Sequence, residues 1–186
     1  MVKKPFYKKL DRTTELKSIV ESDAQEIFHL INTNRLYLRQ WLPWIDYTQS
    51  VADELAYIRT VKDQYQENQS VACVICHKGA IAGTISYHPI DWMNRKVEIG
   101  YWLGEQFQGN GLMTKACSAF IDYAFDDLRL NKVEIRCATG NARSCAIPQR
   151  LNFTHEGIIR QAEWLYDHYV DLHFYGLLAT EWKKDR

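Results

Sequence analysis

No stretch of this chain approaches the roughly eighteen uninterrupted apolar residues that cross a bilayer, so no membrane span is expected. Neither sign of charge is in excess. The 23 basic and 23 acidic side chains cancel, and like charges gather only in short clusters such as Lys3-Lys4 and Lys183-Lys184. A general electrostatic grip on nucleic acid or an anionic membrane is therefore not expected, although one local basic pocket for a phosphate ligand stays open. The start, Met-Val-Lys-Lys-Pro-Phe-Tyr-Lys-Lys-Leu, has the charge of a secretory leader but lacks the apolar run behind it. A cytoplasmic location is expected. Cysteines are odd in number, at 73, 76, 117, 137 and 145, in a chain that is not small. Reduced, mostly buried thiols are the reading that follows.

Two metal signals fail on inspection. Cys73-Val74-Ile75-Cys76-His77 spells the c-type haem attachment pattern. Haem attachment requires export, however, and residues i and i+3 of a β-like run face opposite ways. No second ligand pair stands at zinc spacing. Neither haem nor metal is expected.

What is present suits one compact unit. With 46% apolar residues, 186 residues can bury one sizeable core and are short for two, so a single domain over 1–186 is expected. A strand is expected at 15–20, then a helix with Ser22 as N-cap and Gln25 completing a capping box. A short helical piece covers 34–42, ended by Pro43, and Ser50 caps a third helix with apolar residues at 51, 55, 58 and 61. Strands at 70–76 and 81–88 flank a glycine-bearing turn. Period-two alternation marks a strand at 95–103. A helix over 111–128 carries the rows 112, 116, 120, 124, 128 and 113, 117, 121, 125. A strand at 131–137, a helix at 142–150 despite Pro148, and two long strands near 153–164 and 168–179 complete a mixed α/β chain.

The segment Gln106-Phe107-Gln108-Gly109-Asn110-Gly111 joins the strand at 95–103 to the helix at 111–128. The first amides of a helix lack internal partners and stand at the positive end of its dipole, an arrangement that binds phosphate. Gly109 and Gly111 let a pyrophosphate approach the backbone. Gln108 and Asn110 would add amide donors, and Thr114 a hydroxyl. A tight connection with two turn glycines explains the same composition. No Gly-Lys-Ser/Thr follows, and G-x-G-x-x-G is absent, so the segment is neither a Walker loop nor a dinucleotide fingerprint.

Gln106-x-x-Gly109-x-Gly111, placed after a strand and opening a long helix, resembles the Q/R-x-x-G-x-G/A signature of the GNAT superfamily of N-acetyltransferases. Asn94-Arg95-Lys96-Val97-Glu98-Ile99-Gly100-Tyr101-Trp102-Leu103 looks like the preceding strand in the branch that acetylates ribosomal-protein N-termini. Asn141-Ala142-Arg143-Ser144, Pro148, Phe153 and Glu156-Gly157 resemble its N-x-x-S … GF-x-x-EG segment, with Asn152 in place of the usual glycine. The likeness runs from about residue 13 to 182 and extends to the ending at 171–182. It implies a mostly antiparallel, twisted sheet with helices on both faces and a strand pair that splays between 100–103 and 131–137. It also implies an acetyl-CoA-dependent transferase acting on an amine, such as the N-terminus of the L7/L12 stalk protein. A small amine such as a polyamine, antibiotic or toxin is the alternative acceptor, and a non-catalytic CoA sensor the alternative role. A homodimer is common in the family.

By that resemblance the phosphates lie on 108–114, including Met113. An amide near Trp102 or Leu103 faces the thioester carbonyl, and Asn141 bonds the pantetheine arm. Acetyl transfer needs a base for the amine, donors for the oxyanion and an acid for the leaving thiolate. Ser144 occupies the acid position, though a serine opening a helix is often a cap. Glu163 occupies the base position. Glu98 is the second candidate for the base, and it would equally pair with Arg95 or Arg136. Tyr101 and Tyr175 are hydroxyl donors or core aromatics. Tyr37 and Trp41, with Trp44 and Tyr47, line the acceptor cleft or simply pack.

Overall fold

The computed structural model describes residues 4–182. Strand β1 (Tyr7–Lys9) lies antiparallel to β2 (Thr14–Ser18). The first is only three residues long and fully exposed, so it carries no periodicity to read. β2 stops short of the expected residue 20 because the chain turns there. The amide of Val20 donates to Asp23 Oδ2 at 3.0 Å, and Lys17 pairs with the same carboxylate at 3.1 Å. Asp23, rather than Ser22, therefore organises the start of α1 (Ala24–Thr33), after a 3-10 turn at Glu21–Asp23. Ser22 is exposed and caps nothing.

A short α2 (Arg35–Leu38) follows, with a 3-10 turn at Ile45–Tyr47. Arg35 holds this segment by donating to the carbonyls of Ile45 at 2.6 Å and Thr48 at 2.7 Å. Ser50 caps α3 (Val51–Gln66) as its sequence predicts: the Asp53 amide reaches Ser50 Oγ at 3.3 Å, and the Ser50 amide reaches Asp53 Oδ2 at 2.8 Å. β3 (Ala72–His77) and β4 (Ala80–Tyr87) form a hairpin on Lys78 and Gly79, with φ of 52° and 84°. β5 (Lys96–Leu103) feeds α4 (Leu112–Asp122), which ends in a π turn at Tyr123–Asp127 rather than running on as α-helix to 128. β6 (Lys132–Ala138), α5 (Ala142–Arg150), β7 (Thr154–Leu165), β8 (His168–Leu178) and a final turn of helix, α6 (Ala179–Trp182), complete the order.

One sheet runs β1-β2-β3-β4-β5-β6-β8-β7, antiparallel everywhere except between β5 and β6. That parallel pair requires a crossover, which α4 supplies. Helices cover both faces. Ile27, Ile31 and Ile58 of α1 and α3 pack on one, and Cys117, Phe120 and Ile121 of α4 pack on the other, joined there by Cys145 and Ile147 of α5. The strand alternation sorts side chains between the two. Val97 and Ile99 enter the α4 core, and Cys73 and Cys76, three apart, enter different cores. All five thiols are free and buried.

The exit from α5 explains how Asn152 stands in for glycine. Asn152 is left-handed at φ 59°, the Phe153 amide donates to Pro148 O at 3.0 Å, and the Asn152 amide donates to Gln149 O at 3.3 Å. These are the two bonds of a Schellman cap. Asparagine tolerates the left-handed region better than other side chains. Asn152→Ala should therefore cost about 1 kcal/mol in urea or thermal unfolding, and Asn152→Gly should be neutral or slightly stabilising.

Candidate active site

β5 and β6 pair over three positions only: Lys96↔Lys132, Val97↔Val133 and Glu98↔Glu134. Beyond Glu98 they part. β5 stays with β4 as far as Leu103, and β6 stays with β8 as far as Ala138. The bonds His88 N to Glu98 O and Gly104 N to Ala82 O, both 2.9 Å, show that the even-numbered residues of β5 bond to β4. The odd-numbered residues then turn their backbone to the other side. Past the last pair with β6, the amides of Tyr101 and Leu103 face the gap, whereas that of Trp102 is spent on β4. Of the two amides proposed for a thioester carbonyl, Leu103 alone has the right direction.

The glycine loop closes one end of the gap. After a 3-10 turn at Glu105–Phe107, Gly109 and Gly111 take φ of 76° and 69°. A Cβ on either would meet nothing within 4 Å, so backbone conformation sets the need for glycine here. Lys115 is the first amide of α4 with a helical acceptor, Gly111 O at 3.1 Å, so the amides of 112–114 have none. Met113 is 5% exposed and belongs to the α4 core, so only its backbone reaches the loop. Thr114 is half-buried in the first turn. The two expected amide donors are committed within the protein. Asn110 Nδ2 braces the loop through Phe107 O at 3.2 Å and Gln108 O at 3.1 Å. The Gln108 side chain donates to the Tyr37 hydroxyl and accepts from Arg143. Arg143 thus brings a guanidinium to the loop that no local motif announced.

On the α4 side of the gap, Asn141 Oδ1 caps α5 by accepting from the Ser144 amide at 3.1 Å. Ser144 is therefore not the cap, and its hydroxyl donates elsewhere. It lies 3.3 Å from the Tyr101 hydroxyl, which donates to Ser144 O at 3.1 Å. Burial holds the Tyr101 phenol well above its ordinary pKa. Tyr175 is buried in the core, and its hydroxyl accepts from Gln149 at 3.2 Å.

On the opposite face stand Glu98, His88 and Glu163. Glu98 pairs with Arg136 at 3.2 Å, the cross-strand alternative expected for it. Glu163 is half-buried on β7, just past a bulge where Ile159 and Glu163 pair with Leu172 and Val170. Within that bulge Gln161 sits at φ 48°, its amide donating to Asp171 Oδ1 at 2.7 Å. Burial first, then the charge of Glu98, pushes the Glu163 pKa up, while His88 pulls it down. His88 packs directly over Gly100, where a Cβ would lie 2.8 Å from its Nε2. A lone glycine in an otherwise bulky strand was the sequence signal for that close approach.

The aromatic segment divides. Trp44 meets Trp102 at 6.2 Å between centroids, and Trp41 lies 3.6 Å from the position of a Cβ on Gly140. The Arg39 guanidinium stacks 3.7 Å from the centre of the Tyr166 ring, and the Tyr166 hydroxyl donates to Leu42 O, tying this segment to the β7–β8 turn. Tyr47, 82% exposed, stands out from the group.

A parted parallel pair, with a glycine loop and helix N-terminus at its end, is a frame for a pyrophosphate-bearing thioester. Residues 14–154 match the acetyltransferase (GNAT) domain family. The chain is a GNAT acetyltransferase. It is 35% identical over 185 residues, 97% of this chain and all of the relative, to a Bacillus subtilis (strain 168) protein provisionally named a ribosomal N-acetyltransferase. It is 30% identical over 168 residues to the ribosomal-protein-serine acetyltransferase of Escherichia coli (strain K12), covering 90% of this chain and 94% of that one. The L7/L12 α-N-protein acetyltransferase solved with coenzyme A superposes with a TM-score of 0.90 at 28% identity, covering 93% and 98% of the two chains. This GNAT enzyme takes its acetyl group from acetyl-CoA. Among the described residues no helix is long and apolar enough to cross a membrane, and no group of three metal-ligating side chains occurs.

Gly109→Asp would add strain at a left-handed position and a negative charge beside the free amides. Acetyl-CoA affinity measured by calorimetry should fall at least about tenfold. An unchanged Kd would contradict the assignment of phosphate to this loop.

Proposed function

We propose that this acetyltransferase modifies the N-terminal α-amine of a cytoplasmic ribosomal protein of the L7/L12 kind, and that the chain forms a single catalytic domain. The observation that carries the chemistry is the distribution of groups about the parted strands. Carboxylates stand on the α1–α3 face, a hydroxyl stands on the α4 face, and unpaired backbone amides lie between. In the proposed reaction Glu163 takes a proton from the arriving ammonium. The neutral nitrogen attacks the thioester carbon, and the developing oxyanion is met by the Leu103 amide. The C–S bond breaks as the amide product forms: Ser144 Oγ gives its proton to the leaving thiolate and takes up the second proton that the nitrogen sheds on becoming an amide. The loop amides of 109–114 hold the phosphates, Thr114 adds a hydroxyl, and Asn141 borders the pantetheine path. Tyr37 and Trp41 line the acceptor side, while the negative charge of Glu98, ion-paired with Arg136, shapes the field at Glu163. The acceptor assignment draws its support from the E. coli relative that modifies a ribosomal-protein serine.

Mass spectrometry of purified L7/L12 after incubation with enzyme and acetyl-CoA should show one acetyl group on the N-terminus. An unmodified terminus, with thiol release instead on polyamines or other small amines, would replace this acceptor. No acceptor-dependent thiol release at all would point to a CoA sensor.

Glu163 must be ionised to act, and its pKa is raised. Turnover should therefore fall on acidification at a higher pH than an exposed glutamate would give. Glu163→Gln should lower kcat by about a hundredfold, leave acetyl-CoA affinity within about twofold, and abolish that acidic limb. Unchanged turnover would eliminate Glu163 as the base.

A further inference from the structure

Pro148 sits inside α5, where its ring nitrogen carries no hydrogen. The acceptor that an amide at 148 would serve is the carbonyl of Ser144, four residues earlier. That carbonyl is not left bare. The Tyr101 hydroxyl, from β5, donates to it at 3.1 Å. The same hydroxyl accepts from Ser144 Oγ at 3.3 Å. Meanwhile Asn141 Oδ1 caps α5 by accepting from the Ser144 amide, so the serine side chain has no part in the cap. Burial keeps the phenol protonated, so it remains both donor and acceptor across the working pH range.

We propose that Pro148 and Tyr101 form a positioning device for Ser144. The proline withholds an amide from the Ser144 carbonyl, and the phenol takes that place. Thus anchored, the phenol oxygen fixes the serine hydroxyl on the strand that borders the gap. Tyr101 makes and breaks no covalent bond. It limits the rotamers of Ser144, so that Oγ is already beside the leaving sulfur and its single proton has only to turn from the phenol oxygen to the sulfur as the C–S bond breaks. The inference rests on the reading of Ser144 as the proton donor.

The device makes an unusual pairing of effects. Alanine at 148 supplies the missing amide, which competes with Tyr101 for the Ser144 carbonyl while adding a helical hydrogen bond. Pro148→Ala should therefore be at least as stable as the parent in thermal unfolding and yet turn over about two- to threefold more slowly. Tyr101→Phe removes both hydrogen bonds and should lower kcat about five- to tenfold, with the KM and Kd for acetyl-CoA within about twofold. The double variant should be no slower than Tyr101→Phe alone, because both changes act on one contact.

Ser144→Ala separates this inference from the reading beneath it. If Ser144→Ala is slow while Tyr101→Phe and Pro148→Ala keep the parent kcat, the positioning device is overturned and Ser144 keeps its role. If Ser144→Ala turns over at the parent rate, the donor role falls and the device falls with it. Multiplying effects in the double variant, or a Kd for acetyl-CoA that rises in step with the loss of kcat, would make Tyr101 a packing residue and overturn the proposal.

Discussion

The structure turns on the place where β5 and β6 stop pairing. A parallel ladder that ended nowhere would give a continuous sheet with no opening. Three registered pairs, closing at Glu98↔Glu134, hold the strands together at one end, and the rest of β5 leans on β4 alone. Because the bonds to β4 use the even-numbered residues, the amides left facing the gap belong to Tyr101 and Leu103. The crossover forced by parallel pairing brings α4 back across one face, so its free N-terminal amides and the glycine loop arrive at the same opening. Both sets of free backbone amides, on β5 and at the start of α4, thus follow from one topological choice.

The two carboxylates show how position sets chemical character. Glu98 and Glu163 come from different strands and meet on the same face, but the first has Arg136 as an ion-pair partner, while burial and the nearby Glu98 charge act on the second. A carboxylate whose charge is costly to bury holds a proton more tightly, which is the property that the base role proposed for Glu163 calls for. The bulge before Glu163 sets its register against β8.

Much of this was legible in the chain itself. Period-two alternation from Val97 to Leu103, the rows of α4 as far as Ile121 and the cap at Ser50 each depend on neighbours in sequence, and each emerged as read. Where the reading failed, the deciding partner was distant or the local signal weak. β1 is held by β2 and has no apolar face of its own. Asp23 displaced Ser22 because Lys17, on the preceding strand, pairs with it. Asn141, read as a pantetheine contact or a turn residue, caps α5, which removes the cap as the alternative role of Ser144. Trp102 and Leu103 were equivalent until the β4 register distinguished them. His88 and Arg143 reach the site from elements whose approach no local pattern encodes. Gly100 held the one clue, a missing side chain where another residue lies flat.

Gln108 joins the loop to Tyr37 on α2 and to Arg143 on α5 through a single carboxamide. One amide group therefore answers to both halves of the enzyme. If phosphates and acceptor bind where proposed, a rearrangement of that amide would couple them, and free-energy coupling between two ligands has no preferred direction. Whatever the donor contributes to acceptor affinity through this link, the acceptor returns to the donor in equal measure.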